Sequence, residues 1–326
     1  MSLPGEDAIL ACLDEYFPKT HPSLLHGRGD DCAVLRPAGP LCLSSDFFVE
    51  NVHFRRAYYS PEETGHKALA VNLSDLAACG AKPLAFSLGL GLPPDVDMDF
   101  LRGLFSGMSA LAGRFRLGLA GGDLSRCSCL CLAITIWGEA SADGWLARGN
   151  VQAGEALFLV GRPGLARIGL AALEQEGRKA LENWPAACAA HLLPQPQVDA
   201  GQILARLGRA GPLPALMDLS DGLARDLPRL LGTSGLGAEL LVPEAMLHGE
   251  VVSYARRAGK NPVREAYLGG EDYALLGACP ASLLSALHSA LPELLEIGVL
   301  TEKPGIRLNG VALPDDEVAG FDHFAP

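Results

Sequence analysis
Residues 217–224, Met-Asp-Leu-Ser-Asp-Gly-Leu-Ala, place two carboxylates and a hydroxyl within four positions. An apolar run ends there and a helical pattern begins. Ala215-Leu216-Met217 reads as the end of a buried strand, and from Asp221 to Leu231 apolar residues recur at helical spacing. Asp218 is then expected at a strand's carboxyl end, with Ser220 and Asp221 in the first turn of the next helix, where free N–H groups and the dipole favour anions. A hydroxyl and two acids at such a junction suit a metal-bridged phosphate, although an N-cap with an acidic first turn has the same composition. Gly29-Asp30-Asp31, Ser44-Ser45-Asp46, Asn72-Leu73-Ser74-Asp75, Gly121-Gly122-Asp123 and Gly269-Gly270-Glu271-Asp272 repeat the chemistry. One such cluster is a turn; six predict a shared site for hard cations and phosphates.

The elements that must position these groups follow from periodicity. A short amphipathic helix is expected over 5–17. Cys32 to Leu35 and Leu41 to Asp46 read as neighbouring strands joined through the turn at Pro37 to Pro40, which would bring Asp30 near Asp46. Phe47 to Phe54 reads as an extended segment presenting His53. Pro61 to Ala81 is a helix in which Asn72, Asp75 and Cys79 share a face, and an Asp on so apolar a helix points to a cation or a cap. A strand over 84–92, an amphipathic helix over 99–115, a short strand over 117–120 entering Gly121-Gly122-Asp123, and a strand over 130–137 complete the first half. Composition shifts near 139–154, giving domains 1–142 and 143–326. The second half reads as a strand over 156–160, helices near 165–176, 198–209, 221–231 and 281–291, and a strand over 274–276. Pro228 lies inside one of those helices, where it removes a hydrogen bond.

Composition narrows the function classes. With 326 residues, 49% of them hydrophobic and 20% charged, the chain has ample core for two domains. A net charge of −12 argues against non-specific nucleic-acid binding. Nine cysteines without a CxxC pair indicate reduced, buried thiols in a cytoplasmic protein, and the alternation of Cys127, Cys129 and Cys131 places them on one strand face. No apolar run reaches the ~20 residues of a membrane span, and no signal-peptide pattern opens the chain.

Read together, residues 29–35 (GDDCAVL), 44–54 (SSDFFVENVHF), 72–83 (NLSDLAACGAKP), 121–123 (GGD), 217–227 (MDLSDGLARDL), 269–276 (GGEDYALL) and 320–324 (GFDHF) resemble the thiamine-monophosphate kinase family, in that family's order and over nearly the whole chain. The resemblance implies an α+β fold of two domains in the aminoimidazole ribonucleotide synthetase (PurM-like) superfamily: an N-terminal mixed sheet domain that binds ATP and Mg²⁺ and dimerises, and a C-terminal α+β domain. It implies direct in-line transfer of the ATP γ-phosphoryl to thiamine monophosphate, giving thiamine diphosphate and ADP, in a cytoplasmic homodimer. By motif, Asp30, Ser44, Ser45, Asp46, Asp75, Asp123, Asp218 and Asp221 would hold several Mg²⁺ ions. Phe105, Gly121, Gly122, Arg148 and Ser220 would contact ATP, and His53, Glu271 and Phe321 the thiamine substrate. No general base or covalent nucleophile is expected, because the acceptor phosphate is already ionised. Phe105 stands for a frequent tyrosine, Leu124-Ser125 for a threonine pair and Asn51 for a glycine.

The chemistry agrees with this assignment on independent grounds. Two phosphates must meet, and unit charges at 4 Å repel by roughly 4 kcal/mol at an effective dielectric near 20. So many carboxylates exceed the needs of acid–base work but suit divalent ions that cancel this repulsion. Selenophosphate synthetase and the hydrogenase-maturation dehydratase, siblings with reactive cysteines near one terminus, fit poorly: Cys12 lies in an apolar helical pattern and the chain ends Phe324-Ala325-Pro326. Aminoimidazole ribonucleotide synthetase and a non-catalytic nucleotide or ion sensor are the remaining alternatives. Turnover with thiamine monophosphate separates both from the kinase.

Overall fold
The computed structural model describes residues 3–141, 144–207 and 213–314. The chain folds as two compact units, Met1–Leu76 with Ala81–Ala142, and Ala77–Gly80 with Asp143–Pro326.

The first unit is built on a four-stranded sheet of β3 (Leu41–Val49), β6 (Cys131–Glu139), β4 (Lys82–Leu92) and β5 (Gly118–Arg126), in that spatial order. β6 is antiparallel to both neighbours, while β4 and β5 are parallel. A parallel pair needs a crossover, and α3 (Met98–Phe115) supplies it. Leu101, Leu104, Phe105, Met108, Leu111 and Ala112 form its buried stripe, and Asp97 caps it by accepting from Phe100 N–H at 2.9 Å. Strand alternation sorts the sheet faces: Leu132, Ile134 and Ile136 of β6 are buried, with Phe86, Leu88 and Leu90 of β4, whereas Leu41, Leu43 and Phe47 of β3 are exposed on the opposite face. α1 (Glu6–Tyr16) and α2 (Pro61–Ala78) are the other helices of this half.

A separate two-stranded ribbon, β1 (Leu24–His26) with β2 (Val34–Leu35), corrects the expected pairing of 32–35 with 41–46. β2 pairs backward onto β1, and β3 instead pairs with β6, some ninety residues on, Asp46 lying opposite Ile134. The expected extended segment 47–54 also breaks early. β3 ends at Val49, and Asn51 takes a left-handed φ of 64° in a turn. That explains why asparagine can stand for glycine here, since its short polar side chain tolerates this region.

The second unit carries a seven-stranded sheet in the order β13 (Val311–Ala312), β12 (Gly305–Leu308), β9 (Gly237–Leu240), β11 (Leu294–Thr301), β7 (Ala156–Val160), β10 (Ala274–Cys279), β8 (Ala215–Leu219). β7, β8 and β10 are buried at every position, which accounts for their unbroken apolar runs. Its helices include α4 (Leu165–Glu176), α5 (Ala180–Asn183), α6 (Pro185–Leu192), α7 (Val198–Leu207) and α8 (Leu223–Leu231). The architecture is α+β in both halves.

Candidate functional site
In the first unit, β3 and α2 bring together Ser44, Asp46 and Asp75. Ser44 Oγ donates to Asp75 Oδ2. Asp46, two residues along the same strand face, is pushed up from 3.8 to about 6, first by burial and then by the negative charge of Asp75. Two half-buried acids and a hydroxyl in this relation form a hard, oxygen-only donor set. Ser45 belongs elsewhere: alternation turns it to the opposite sheet face, where its hydroxyl donates to Ile134 O at 3.2 Å and meets Thr135 Oγ1 at 2.9 Å. The expectation that Ser44 and Ser45 share a role through their side chains is corrected accordingly.

The remaining acids of this unit have other partners. Asp30 is exposed and pairs with His26 Nε2 at 3.2 Å. Arg28, just before it, is anchored by donating to Asp14 Oδ1 at 2.6 Å and Phe17 O at 2.5 Å. Asp123 is exposed and accepts from Ser125 Oγ at 3.0 Å. Among the described residues, no three His, Cys, Asp or Glu side chains stand together as a metal site. Like charges repel, and each of these outer acids lies against a histidine or hydroxyl instead.

Gly121-Gly122-Asp123 is also not a turn but part of β5, paired along Ser87 to Gly89. A side chain at Gly122 would stand 1.9 Å from Leu88 O, so only glycine lets the two strands pair. Phe105 is fully buried on α3, its ring 6.3 Å from that of Tyr16. It is a core contact without a face for a base, which corrects its assignment to ATP. His53 sits in the turn after β3, where its Nδ1 accepts from Val49 N–H at 3.0 Å and its ring stacks on Phe48. That turn is braced by a residue the motifs did not flag: Glu50, whose carboxylate takes Arg56 Nε at 2.6 Å and Leu130 N–H at 3.1 Å. Cys127 and Cys129 lie in the connection between β5 and β6 rather than on one strand face with Cys131, and of the nine free thiols only Cys12, Cys188 and Cys279 are buried.

In the second unit, two motifs meet backbone to backbone. Asp218 is buried within β8, opposite Leu275 of β10. Ser220 and Asp221 stand in the connection before α8, whose N-cap is Gly222 at φ 95°, rather than inside the helix's first turn. The loop 269–273 packs on this connection: Glu271 N–H donates to Ser220 O at 2.6 Å and Tyr273 N–H to Leu219 O at 2.9 Å. Glu271 and Tyr273 hold left-handed φ values of 64° and 48°, strain of the kind that persists where surroundings over-determine the backbone. Arg148 is exposed, one residue past the bridge from Ala147 to Ala215.

Asp226, Arg229 and His191 escaped the sequence reading of the site, and Asp272, flagged there with Glu271, proves to be a helix cap. Asp226, fully buried, accepts from Asp221 N–H at 2.8 Å and from Arg229 at 2.8 Å; burial raises its carboxyl, while those donors pull it down. Arg229 also donates to Asp221 Oδ2 at 2.6 Å, so in this conformation Asp221 faces a guanidinium. Asp272 caps α4 by accepting from Gly164 N–H at 2.6 Å and Ala166 N–H at 2.9 Å; enclosure of its carboxyl outweighs these donors and lifts it to about 7. His191 meets the Glu271 carboxylate at 3.0 Å. Asp226 was discoverable as the acid in the first turn of α8; nothing periodic marks His191. Phe321 lies outside the described residues.

Comparison with known proteins fits this arrangement. Residues 29–140 match the AIR synthase related protein N-terminal domain, and 152–310 the corresponding C-terminal domain. The chain is 36% identical to a thiamine-monophosphate kinase of Synechococcus elongatus, covering 98% of this chain and 96% of the relative. It is 32% identical to that of Salmonella typhimurium, covering 98% of each. Among solved structures, a thiamine-monophosphate kinase from Stenotrophomonas maltophilia superposes with a TM-score of 0.79 at 30% identity, covering 96% of this chain and 99% of the other. AaThiL complexed with AMPPCP and TMP gives a TM-score of 0.77 at 27% identity, covering 98% and 97%. The hydrogenase-maturation protein HypE of Escherichia coli, at 20% identity and a TM-score of 0.75 over 95% and 97% of the two chains, shares the fold. With a relative this similar along its entire length, the chain belongs to the thiamine-monophosphate kinase family.

Proposed function
We propose that this protein transfers the γ-phosphoryl group of ATP to thiamine monophosphate, releasing thiamine diphosphate and ADP. The full-length likeness to thiamine-monophosphate kinases, 36% identity over 98% of the chain, carries this reading. The Ser44, Asp46 and Asp75 set supports it, because desolvated carboxylates facing each other call for a proton or a cation. All their donor atoms are oxygens, which fits Mg²⁺. Asp30, Asp123, Asp218 and Asp221 are the further candidate ligands, carried by motif. When bound, the metal neutralises the phosphate oxygens and the charge that spreads in transfer.

The chain's own residues supply positioning. Gly121, with open space where a side chain would stand, leaves the backbone of β5 accessible to a phosphate, and Gly122 is assigned to ATP by motif alone. Arg148, exposed, and Ser220, ahead of α8, offer a cation and a hydroxyl to ATP. His53 and Glu271 are assigned to the acceptor, with Phe321 assigned by resemblance alone. A carboxylate such as Glu271 complements the cationic, amine-bearing thiamine moiety. No side chain is required as base, since the attacking phosphate oxygen is already deprotonated, and no phospho-enzyme forms.

The protein acts as a homodimer in the cytoplasm in this reading. Exposed Leu41, Leu43 and Phe47 on the edge strand β3 offer an apolar sheet face to a second copy. No described helix is long and apolar enough to cross a membrane, and all nine cysteines are free. ADP release measured with ATP, Mg²⁺ and thiamine monophosphate tests the activity. One thiamine diphosphate should appear per ADP, and none without the acceptor. Nucleotide binding without turnover on this acceptor would leave a sensor or a sibling enzyme instead.

A further inference from the structure
We infer that His191 is a positioning residue for the acceptor site, its imidazole holding the Glu271 carboxylate in the orientation that meets thiamine monophosphate. This rests on the assignment of Glu271 to the acceptor.

The observation behind it is a buried group serving a partly open one. His191 keeps only 1% of its side chain exposed, whereas Glu271 keeps 27%, and Nδ1 lies 3.0 Å from Oε2. An ionised carboxylate can only accept, so Nδ1 carries the proton and donates. Glu271 is therefore gripped from the interior and still reaches solvent on its other side. Its backbone is fixed as tightly, with φ at 64° and its N–H on Ser220 O at 2.6 Å. A loop needed only for packing would place glycine at that φ, without strain; a glutamate held there has a side chain in use.

The position of His191 is set by the same loop. Asp272, the next residue after Glu271, caps the N-terminus of α4 through Gly164 and Ala166. α4 meets α6 at Gly169, where an added side chain would stand 2.0 Å from Ala187 O and 3.0 Å from His191 Cβ. The helices thus touch backbone to backbone, and α6 brings His191 back to Glu271. Loop, α4, α6 and histidine form a closed circuit in which each contact fixes the next. Such a circuit holds one carboxylate orientation, which is what recognition of a single acceptor needs.

Steady-state kinetics on the full chain test this through His191→Leu, His191→Asn, Glu271→Gln and the His191→Leu/Glu271→Gln pair. Loss of one hydrogen bond to a charged group corresponds to about tenfold to a hundredfold. His191→Leu should therefore raise KM for thiamine monophosphate by about that factor while KM for ATP stays within about twofold. His191→Asn, whose amide nitrogen falls near the Nδ1 position, should recover most of the loss. The double variant should be no worse than the worse single one, since both break one interaction. An unchanged KM for the acceptor in His191→Leu, or losses that multiply in the double variant, overturns the inference. Should His191→Leu fail to fold, the imidazole nitrogen resonances of the wild-type chain decide: they should show Nδ1–H and move when thiamine monophosphate is added without ATP, and a static signal counts against the role. A wild-type chain that does not turn over thiamine monophosphate removes the functional reading and this inference with it; active wild type with indifferent His191 variants removes the inference alone.

Discussion
Asp46→Asn should make the metal-free protein more stable at neutral pH while ending its proposed activity. Asp46 rises from 3.8 to about 6 because burial disfavours its charge and Asp75 adds like-charge repulsion. At 1.36 kcal/mol per pH unit the ionised group carries up to about 3 kcal/mol of unfavourable folded-state free energy, less where water reaches it, so about 1–3 kcal/mol. The sign follows from proton binding. Between 3.8 and about 6 the folded chain keeps a proton that the unfolded chain has lost. Stability from this group is therefore full below 3.8, declines as pH rises to about 6, and stays low above that. Asparagine removes the group that titrates and with it the decline. Thermal unfolding followed by circular dichroism in chelator, from pH 4 to 8, reads the difference between variant and wild type, so that the shared contribution of Asp272 cancels. The variant should melt several degrees higher at pH 7.5, with the gap closing toward pH 4. Mg²⁺ should raise the wild-type melting point by mass action and leave the variant nearly unmoved. A variant that melts below wild type at pH 7.5, or whose difference from it does not change between pH 4 and 6, would refute the argument that Asp46 is held against its preference.

Asp75→Asn should reduce thiamine monophosphate turnover by about a hundredfold or more with little loss of melting temperature, because it also relieves Asp46; a variant that unfolds early yet keeps its rate when folded would mark Asp75 as structural. At Asn51, φ 64° makes Asn51→Val cost about 1–2 kcal/mol, while Asn51→Gly should be neutral or slightly stabilising; equal stability of the two in urea unfolding would mean the turn is not left-handed. Leu43→Lys combined with Phe47→Lys should convert the proposed dimer to monomer in sedimentation velocity with the first unit still folded, and an unchanged mass would move the interface away from the outer face of β3.

The elements with local periodicity were legible in the sequence. α3 shows its stripe from Leu101 to Ala112, β6 alternates from Leu132 to Ile136, and β7 and β8 are unbroken apolar runs, because each pattern is fixed by which face is buried. Pairing across distance was not legible. The run 41–49 has the same composition whether it pairs with 32–35 or with 131–139, and only packing of the whole sheet decides. The same limit hid Ser45. Two adjacent serines look equivalent as letters, yet on a strand one must face Asp75 and the other Thr135. Gly121-Gly122 misled for a related reason: glycine permits a turn, but here it permits strand contact at Leu88 O. His191 and Glu271 lie eighty positions apart and meet only because α4 and α6 touch at Gly169. No window of sequence contains that information.

Asp46 differs physically from the acids whose charges are answered within the fold, and the difference is one of compensation. Asp226 is fully buried, but it accepts from Asp221 N–H and from Arg229, so its charge is answered within its own helix and the connection that leads into it. Glu250 takes the N–H groups of Ala186 and Ala187 at the start of α6, and Glu50 takes Arg56 and Leu130. Asp46 has the opposite surroundings, a second carboxylate and a half-buried strand face, and Glu271 sits on a backbone conformation that glutamate disfavours. A fold selected for stability alone would exchange both for residues that suit those places, since such substitutions commonly gain about 0.5–2 kcal/mol. Under the proposed function the offsetting interaction lies outside the chain, a cation for Asp46 and a cationic acceptor for Glu271. Local rules agree with the structure through most of this protein and fail at Asp46 and at the backbone of Glu271, and at Asp46 the failure has a sign: what would answer it is a positive charge.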